Sequence, residues 1–94
     1  MSDASSHPPV VMYSKPWCPY CIAAKTLLRR KGADFTVHEI NLDAERAQEM
    51  RRRAGRHTVP QIFIGETHVG GADELFALDK AGGLDPLLQG SSRA

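Results

Sequence analysis

The stretch from Val10 to Ile40 reads as strand, helix, strand, and that order restricts the folding of this chain more than any other feature in it. Val10-Val11-Met12-Tyr13 is a short apolar run of the kind that forms a buried strand. Ile22 to Lys31 is rich in good helix formers. Its apolar face falls at Cys21, Ala24, Leu27 and Leu28, its last turn is basic, and Gly32 is its stop. Pro19 suits the first helical position, where a missing N–H costs nothing. Phe35 to Ile40 is the second strand, Phe35 and Val37 alternating against Thr36, His38 and Ile40, a pattern that leaves open which face is buried. Two strands joined through a helix lie parallel, with a right-handed crossover.

The remainder extends this unit. Asp43 is placed to cap a second helix through Ala54, with Gly55 as its stop. Ala44, Ala47, Met50 and Ala54 form a narrow apolar stripe, and Glu45, Arg46, Glu49 and Arg53 fall on the wet side. Gln61-Ile62-Phe63-Ile64, a Gly65-Glu66 turn and Thr67-His68-Val69 predict a β-hairpin. Gly70-Gly71 breaks the pattern, a third helix runs from Asp73 to Ala81, and Asp85-Pro86 starts a short last helix carrying Leu84, Leu87 and Leu88. The fold class is therefore α/β: one mixed four-stranded sheet flanked by helices on both faces, a thioredoxin-like arrangement. Residues 1–9, polar and ending in two prolines, read as a flexible tail; 10–89 form the single domain, and 90–94 a frayed end.

Composition narrows the function. Twelve Lys+Arg stand against eleven Asp+Glu, a formal net charge of +1, which argues against nucleic acid as a partner. No apolar run approaches the ~20 residues that cross a bilayer. The N-terminal segment has neither the positive cluster nor the apolar core of a signal peptide, so a cytoplasmic location is expected. Nothing suggests more than a monomer.

The two cysteines, Cys18 and Cys21, are three positions apart. A disulfide closing so small a loop is a poor structural staple. A structural zinc site would need a second ligand pair, and the four histidines are scattered, so no metal site is expected. Redox chemistry is the better reading of a lone Cys-x-x-Cys. Its place at a strand-to-helix junction gives the two thiols different roles. Cys18 meets unpaired N–H groups at the helix N-terminus, which favour the attacking thiolate. Cys21 lies one turn further in and faces the core, so Cys18 is the nucleophile and Cys21 the resolving thiol. Lys15 adds positive charge beside them.

Two further segments bear on chemistry. Thr58-Val59-Pro60 precedes a strand; a cis Pro60 would turn the Val59 backbone toward the cysteines, and an ordinary trans proline is the commoner case. Gly70-Gly71-Ala72-Asp73-Glu74 opens a helix, either as a place where a ligand carboxylate meets the backbone or as a plain turn with Asp73 as N-cap.

Taken together, Cys-Pro-Tyr-Cys after a first strand, Thr-Val-Pro-Gln-Ile-Phe-Ile-Gly and Gly-Gly-x-Asp resemble the glutaredoxin family in order and spacing. The closing Leu78-Asp79-Lys80-Ala81-Gly82-Gly83-Leu84-Asp85-Pro86-Leu87-Leu88 is similar to the bacterial dithiol members of the third type. The resemblance spans Val10 to about Gln89. It implies a cis Pro60 and a glutathione-dependent oxidoreductase that reduces protein disulfides and glutathione mixed disulfides. Glutathione would be a reducing co-substrate, with no bound cofactor. By position, Cys18 would carry the mixed disulfide and Lys15 would meet the glycine carboxylate, with Arg56 a weaker candidate for it. Thr58 and Val59, beside Pro60, would pair with the peptide backbone of glutathione. Gly71, Ala72 and Asp73 would take its γ-glutamyl end, and Tyr20 would flank the groove. Members that share an iron–sulfur cluster between two chains usually have glycine after the first cysteine, and Pro19 stands against that alternative.

Overall fold

Val10–Ser14 forms strand β1 inside a four-stranded sheet, because its side chains find apolar neighbours on both faces. The structure, a computed structural model, describes residues 7–90. After β1 come helix α1 (Pro19–Arg30), strand β2 (Thr36–Glu39), a 3-10 turn (Ile40–Leu42) and helix α2 (Ala44–Ala54). Strands β3 (Gln61–Ile64) and β4 (Thr67–Gly70) follow, then helices α3 (Ala72–Lys80) and α4 (Leu84–Gln89). The tail expected over 1–9 and the frayed end over 90–94 fall largely on residues 1–6 and 91–94, outside the described ones. Within the described part, the Pro9 carbonyl accepts from the Gly65 N–H at 2.7 Å.

The sheet order is β2-β1-β3-β4. β1 and β2 are parallel, Met12 opposite Val37, as the helical crossover requires. β3 runs antiparallel to β1, Met12 opposite Ile62, and β4 completes the hairpin with a register shift beside Ile62 and Phe63. Alternation along the two central strands divides the core. Val10, Met12, Ile62 and Ile64 pack with Cys21, Ala24, Leu27 and Leu28 of α1, Leu75 of α3 and Leu84 of α4. On the other face, Tyr13 and Phe63 pack with Ile40 and with Met50 of α2.

Several boundaries and faces differ from the sequence reading. The second strand spans only Thr36–Glu39, because Ile40 leaves the edge to enter the 3-10 turn and fill the α2 side of the core. Ala44 is exposed, so the stripe of α2 rests on Met50 with partial help from Ala47 and Ala54. Glu49 and Arg53, expected in solvent, meet the buried Tyr13: its hydroxyl donates to the Glu49 carboxylate and accepts from Arg53 Nη1 at 2.9 Å. That contact holds Glu49 below the usual carboxylate range. Asp43 caps α2 as read, accepting from the Arg46 N–H at 3.1 Å, and Gly55 closes it with φ 70°. The third helix starts at Ala72 with Gly71, not Asp73, as its N-cap. Among the described residues no helix is long and apolar enough to cross a membrane.

Candidate active site

Cys18 is the N-cap of α1, its backbone extended at φ −100° and ψ 114°, with Pro19 opening the first turn. Its Sγ accepts from the Cys21 N–H at 3.3 Å. A helix start thereby offers one of its free donors to the sulfur. Cys18 is half-buried and Cys21 fully buried, and the two are unbonded thiols. Burial pushes the Cys21 thiol up, and its hydrogen bond with Cys18 adds to this; the Lys15 backbone N–H and the Ser14 hydroxyl oppose it. One thiol is thus presented and the other shielded.

The second wall of the site is the segment before β3. The Val59–Pro60 bond is cis, the alternative the family resemblance implied. The Cys18 thiol donates to the Val59 carbonyl at 3.9 Å, so residues 41 positions apart in sequence meet at the sulfur. The third wall is the start of α3. A Cβ on Gly71 would lie 3.3 Å from the Pro60 carbonyl oxygen, which explains a residue without a side chain there. Its neighbour Gly70 takes φ +115°, a left-handed conformation that turns the chain from β4 into α3.

Between these walls runs an open groove of about 290 Å³. Tyr20, Thr58, Val59 and Pro60 line one part of it, and Gly71, Ala72, Asp73 and Arg56 another. Of the residues expected to touch glutathione, all but Lys15 and Cys18 line this groove, and Cys18 adjoins it through its contact with the Val59 carbonyl. Lys15 lies just beyond β1, side chain exposed and without an ion pair among the described residues, and touches Cys21 through its backbone. Trp17, next to Cys18, is 86% exposed. A larger hollow of about 710 Å³ lies between residues 7–10, the end of α1 and α4, and includes none of these residues.

Glu74 is the groove residue that the sequence reading missed. Its carboxylate binds Arg56 through two bonds of 3.0 Å and accepts from the Gly71 N–H at 2.6 Å. Those contacts hold its carboxyl down at about 2. The signal was present as a carboxylate three residues after the N-cap, hidden because Asp73 looked like the cap. The pairing also changes Arg56: the guanidinium expected to meet a ligand carboxylate is already engaged.

A family model described as Glutaredoxin matches residues 10–69. The chain belongs to the glutaredoxin family. It is 59% identical over 81 residues to a glutaredoxin of Pseudomonas aeruginosa, covering 86% of this chain and 96% of that one. It is 54% identical over 80 residues to glutaredoxin 3 of Escherichia coli, covering 85% and 96%. The crystal structure of a buckwheat glutaredoxin–glutathione complex superposes with a TM-score of 0.81 at 31% identity, covering 90% of this chain and 80% of that one. This glutaredoxin has the thioredoxin-like fold and is a thiol–disulfide oxidoreductase working through a pair of cysteines.

Proposed function

We propose that this glutaredoxin takes its electrons from glutathione, with Cys18 as nucleophile and Cys21 as resolving thiol. The observation that carries the reading is the Cys18 sulfur at the Val59 carbonyl, with the groove continuing to the N-terminus of α3. An extended tripeptide linked through its sulfur to Cys18 would add to the Val59 backbone as a short strand. Its γ-glutamyl carboxylate would meet the N–H groups of Ala72 and Asp73 at the start of α3. Lys15, without an ion pair among the described residues, is the candidate for the glycine carboxylate. Tyr20 and Thr58 would bound the ligand on either side, next to Pro60. Arg56 would act mainly through Glu74.

In the first step the Cys18 thiolate attacks the glutathione sulfur of a mixed disulfide. The old S–S bond breaks, the released protein thiolate takes a proton, and Cys18 holds glutathione. A second glutathione thiolate then attacks that sulfur, giving oxidised glutathione and restoring Cys18. With a protein disulfide, Cys18 forms a mixed disulfide with one protein sulfur. Cys21 loses its proton and attacks Cys18 Sγ, leaving a Cys18–Cys21 disulfide and a reduced client, and two glutathione molecules reduce the pair. Clients are disulfide-bonded or glutathionylated proteins of the cytoplasm, and one chain suffices for each step.

The test supplies one reductant at a time. Turnover of a protein disulfide with glutathione and glutathione reductase, and none with thioredoxin reductase, supports the reading. Turnover with thioredoxin reductase alone overturns the glutathione assignment.

A further inference from the structure

Gln61 is a fully buried polar residue that the steps above do not use. Buried amides must satisfy both ends, and this one does so in a specific way. Its Nε2 donates to the Thr58 carbonyl at 3.0 Å and to Thr58 Oγ1 at 3.2 Å. A carbonyl oxygen can only accept, so the NH2 end must face Thr58 and Oε1 must face the other way. There Oε1 meets His68 Nε2 at 2.7 Å. That contact needs a proton on Nε2. Burial lowers the His68 pKa below its ordinary value, so the ring is neutral at neutral pH with its single proton on Nε2. The ring is fixed in turn by stacking on Phe63, centroids 4.7 Å apart, with the Arg53 guanidinium 4.0 Å from the same Phe63 ring.

This chain of contacts ends at the peptide next to the nucleophile. With the Thr58 carbonyl held by Gln61, the adjoining Val59 carbonyl is the one left to meet Cys18. We propose that Gln61 and His68 are positioning residues for the groove: Gln61 clamps the Thr58 carbonyl so that Val59 faces Cys18, and His68 fixes which way round the clamp sits. The proposal rests on the groove being the glutathione site. A preset backbone edge binds an extended ligand more tightly than one that must be ordered on binding.

The experiment compares wild type, Gln61→Leu, His68→Phe and the double variant; His68→Phe keeps a ring against Phe63 and removes only the donor. For each, KM and kcat are measured with a small glutathione mixed disulfide. Alkylation of Cys18 by iodoacetamide and the Val59 amide NMR signal without ligand are recorded alongside. Gln61→Leu is expected to raise KM about five- to tenfold, the loss of roughly one buried hydrogen bond, with kcat and alkylation rate held. His68→Phe should move KM the same way by less and shift the Val59 signal. The double variant should be no worse than Gln61→Leu alone, as for two residues acting in series. Should Gln61→Leu fail to fold, His68→Phe carries the same expectation in KM and in the Val59 signal. A folded variant with the wild-type KM and an unmoved Val59 signal overturns the proposal, and additive losses overturn the part given to His68. Wild type that turns over a non-glutathione mixed disulfide equally well overturns the glutathione reading instead, and the Val59 signal still decides the clamp.

Discussion

Arg56 and Glu74 face each other along the groove as a two-pronged ion pair, both N–O distances 3.0 Å, and the same carboxylate takes the Gly71 N–H at 2.6 Å. One carboxylate therefore ties the loop before β3 to the first turn of α3, the two segments that form opposite walls of the groove. It also engages the charge of Arg56 before any ligand arrives.

The pH dependence of stability follows from that carboxylate. Glu74 sits at about 2 in the folded protein, against an ordinary 4.5. A lowered folded value stabilises the native state above the ordinary value, and that contribution fades as the pH falls from 4.5 toward 2. Glu74→Gln should lower Tm at pH 7, and the gap to wild type should close on acidification across that window. Thermal unfolding of both proteins at several pH values checks this. A gap that stays constant down to the acid end would mean the charge is not its source.

Lys15 and Arg56 should differ when removed. Lys15 has no ion pair among the described residues, so its charge is available to a ligand, whereas that of Arg56 is engaged by Glu74. Lys15→Ala should raise KM for glutathione about three- to fivefold with kcat nearly unchanged, as for a remote contact present throughout the reaction. Arg56→Ala should lower Tm and move KM less. A larger KM effect at Arg56 would reverse the assignment.

Tyr13→Phe should cost stability without touching the chemistry. The hydroxyl donates to Glu49 and accepts from Arg53 in the α2 side of the core. Its loss should cost about 1.5–3 kcal/mol, the range for hydrogen bonds to charged partners. Glu49, relieved of its main stabilising contact, should titrate closer to its ordinary value. Denaturant unfolding and carboxylate NMR measure the two effects. Cys18 alkylation at the wild-type rate would separate this cluster from the site, and a slowed rate would join them.

What could be read in advance was what is local. Cys18 as N-cap, Pro19 in the first turn and Asp43 as the cap of α2 each depend on a few neighbouring residues, and each stands where the sequence placed it. What escaped depends on distant segments meeting. Helical periodicity put Glu49 in water, because nothing within α2 shows that a tyrosine of β1 reaches it. Asp73 had the chemistry of a cap, yet Gly71 takes that place: it is extended and close under the Pro60 carbonyl, and Glu74 supplies the carboxylate. The cis Val59–Pro60 bond came from family resemblance, not from physics, which favours trans. Gln61 read as one more strand residue, since its partners Thr58 and His68 meet it only once the hairpin has closed.

The two cysteines should fail differently when replaced by serine. Cys18 is the half-buried sulfur at the helix start, facing Val59, whereas Cys21 is fully buried and its thiol is pushed up by that burial. Cys18→Ser removes the presented thiol, so both deglutathionylation and reduction of protein disulfides should fall to background. Cys21→Ser leaves Cys18 able to take glutathione from a mixed disulfide and pass it to free glutathione, a route that needs one thiol. It removes the internal attack that releases a protein client, where a neighbouring sulfur wins over free glutathione by its effective concentration. The Cys21→Ser variant should therefore keep most deglutathionylation and lose most protein-disulfide reduction. Both activities measured side by side on the two variants decide the matter. Equal loss of both in Cys21→Ser would show that the buried thiol shares in the first attack, and the division of roles drawn from burial would be wrong.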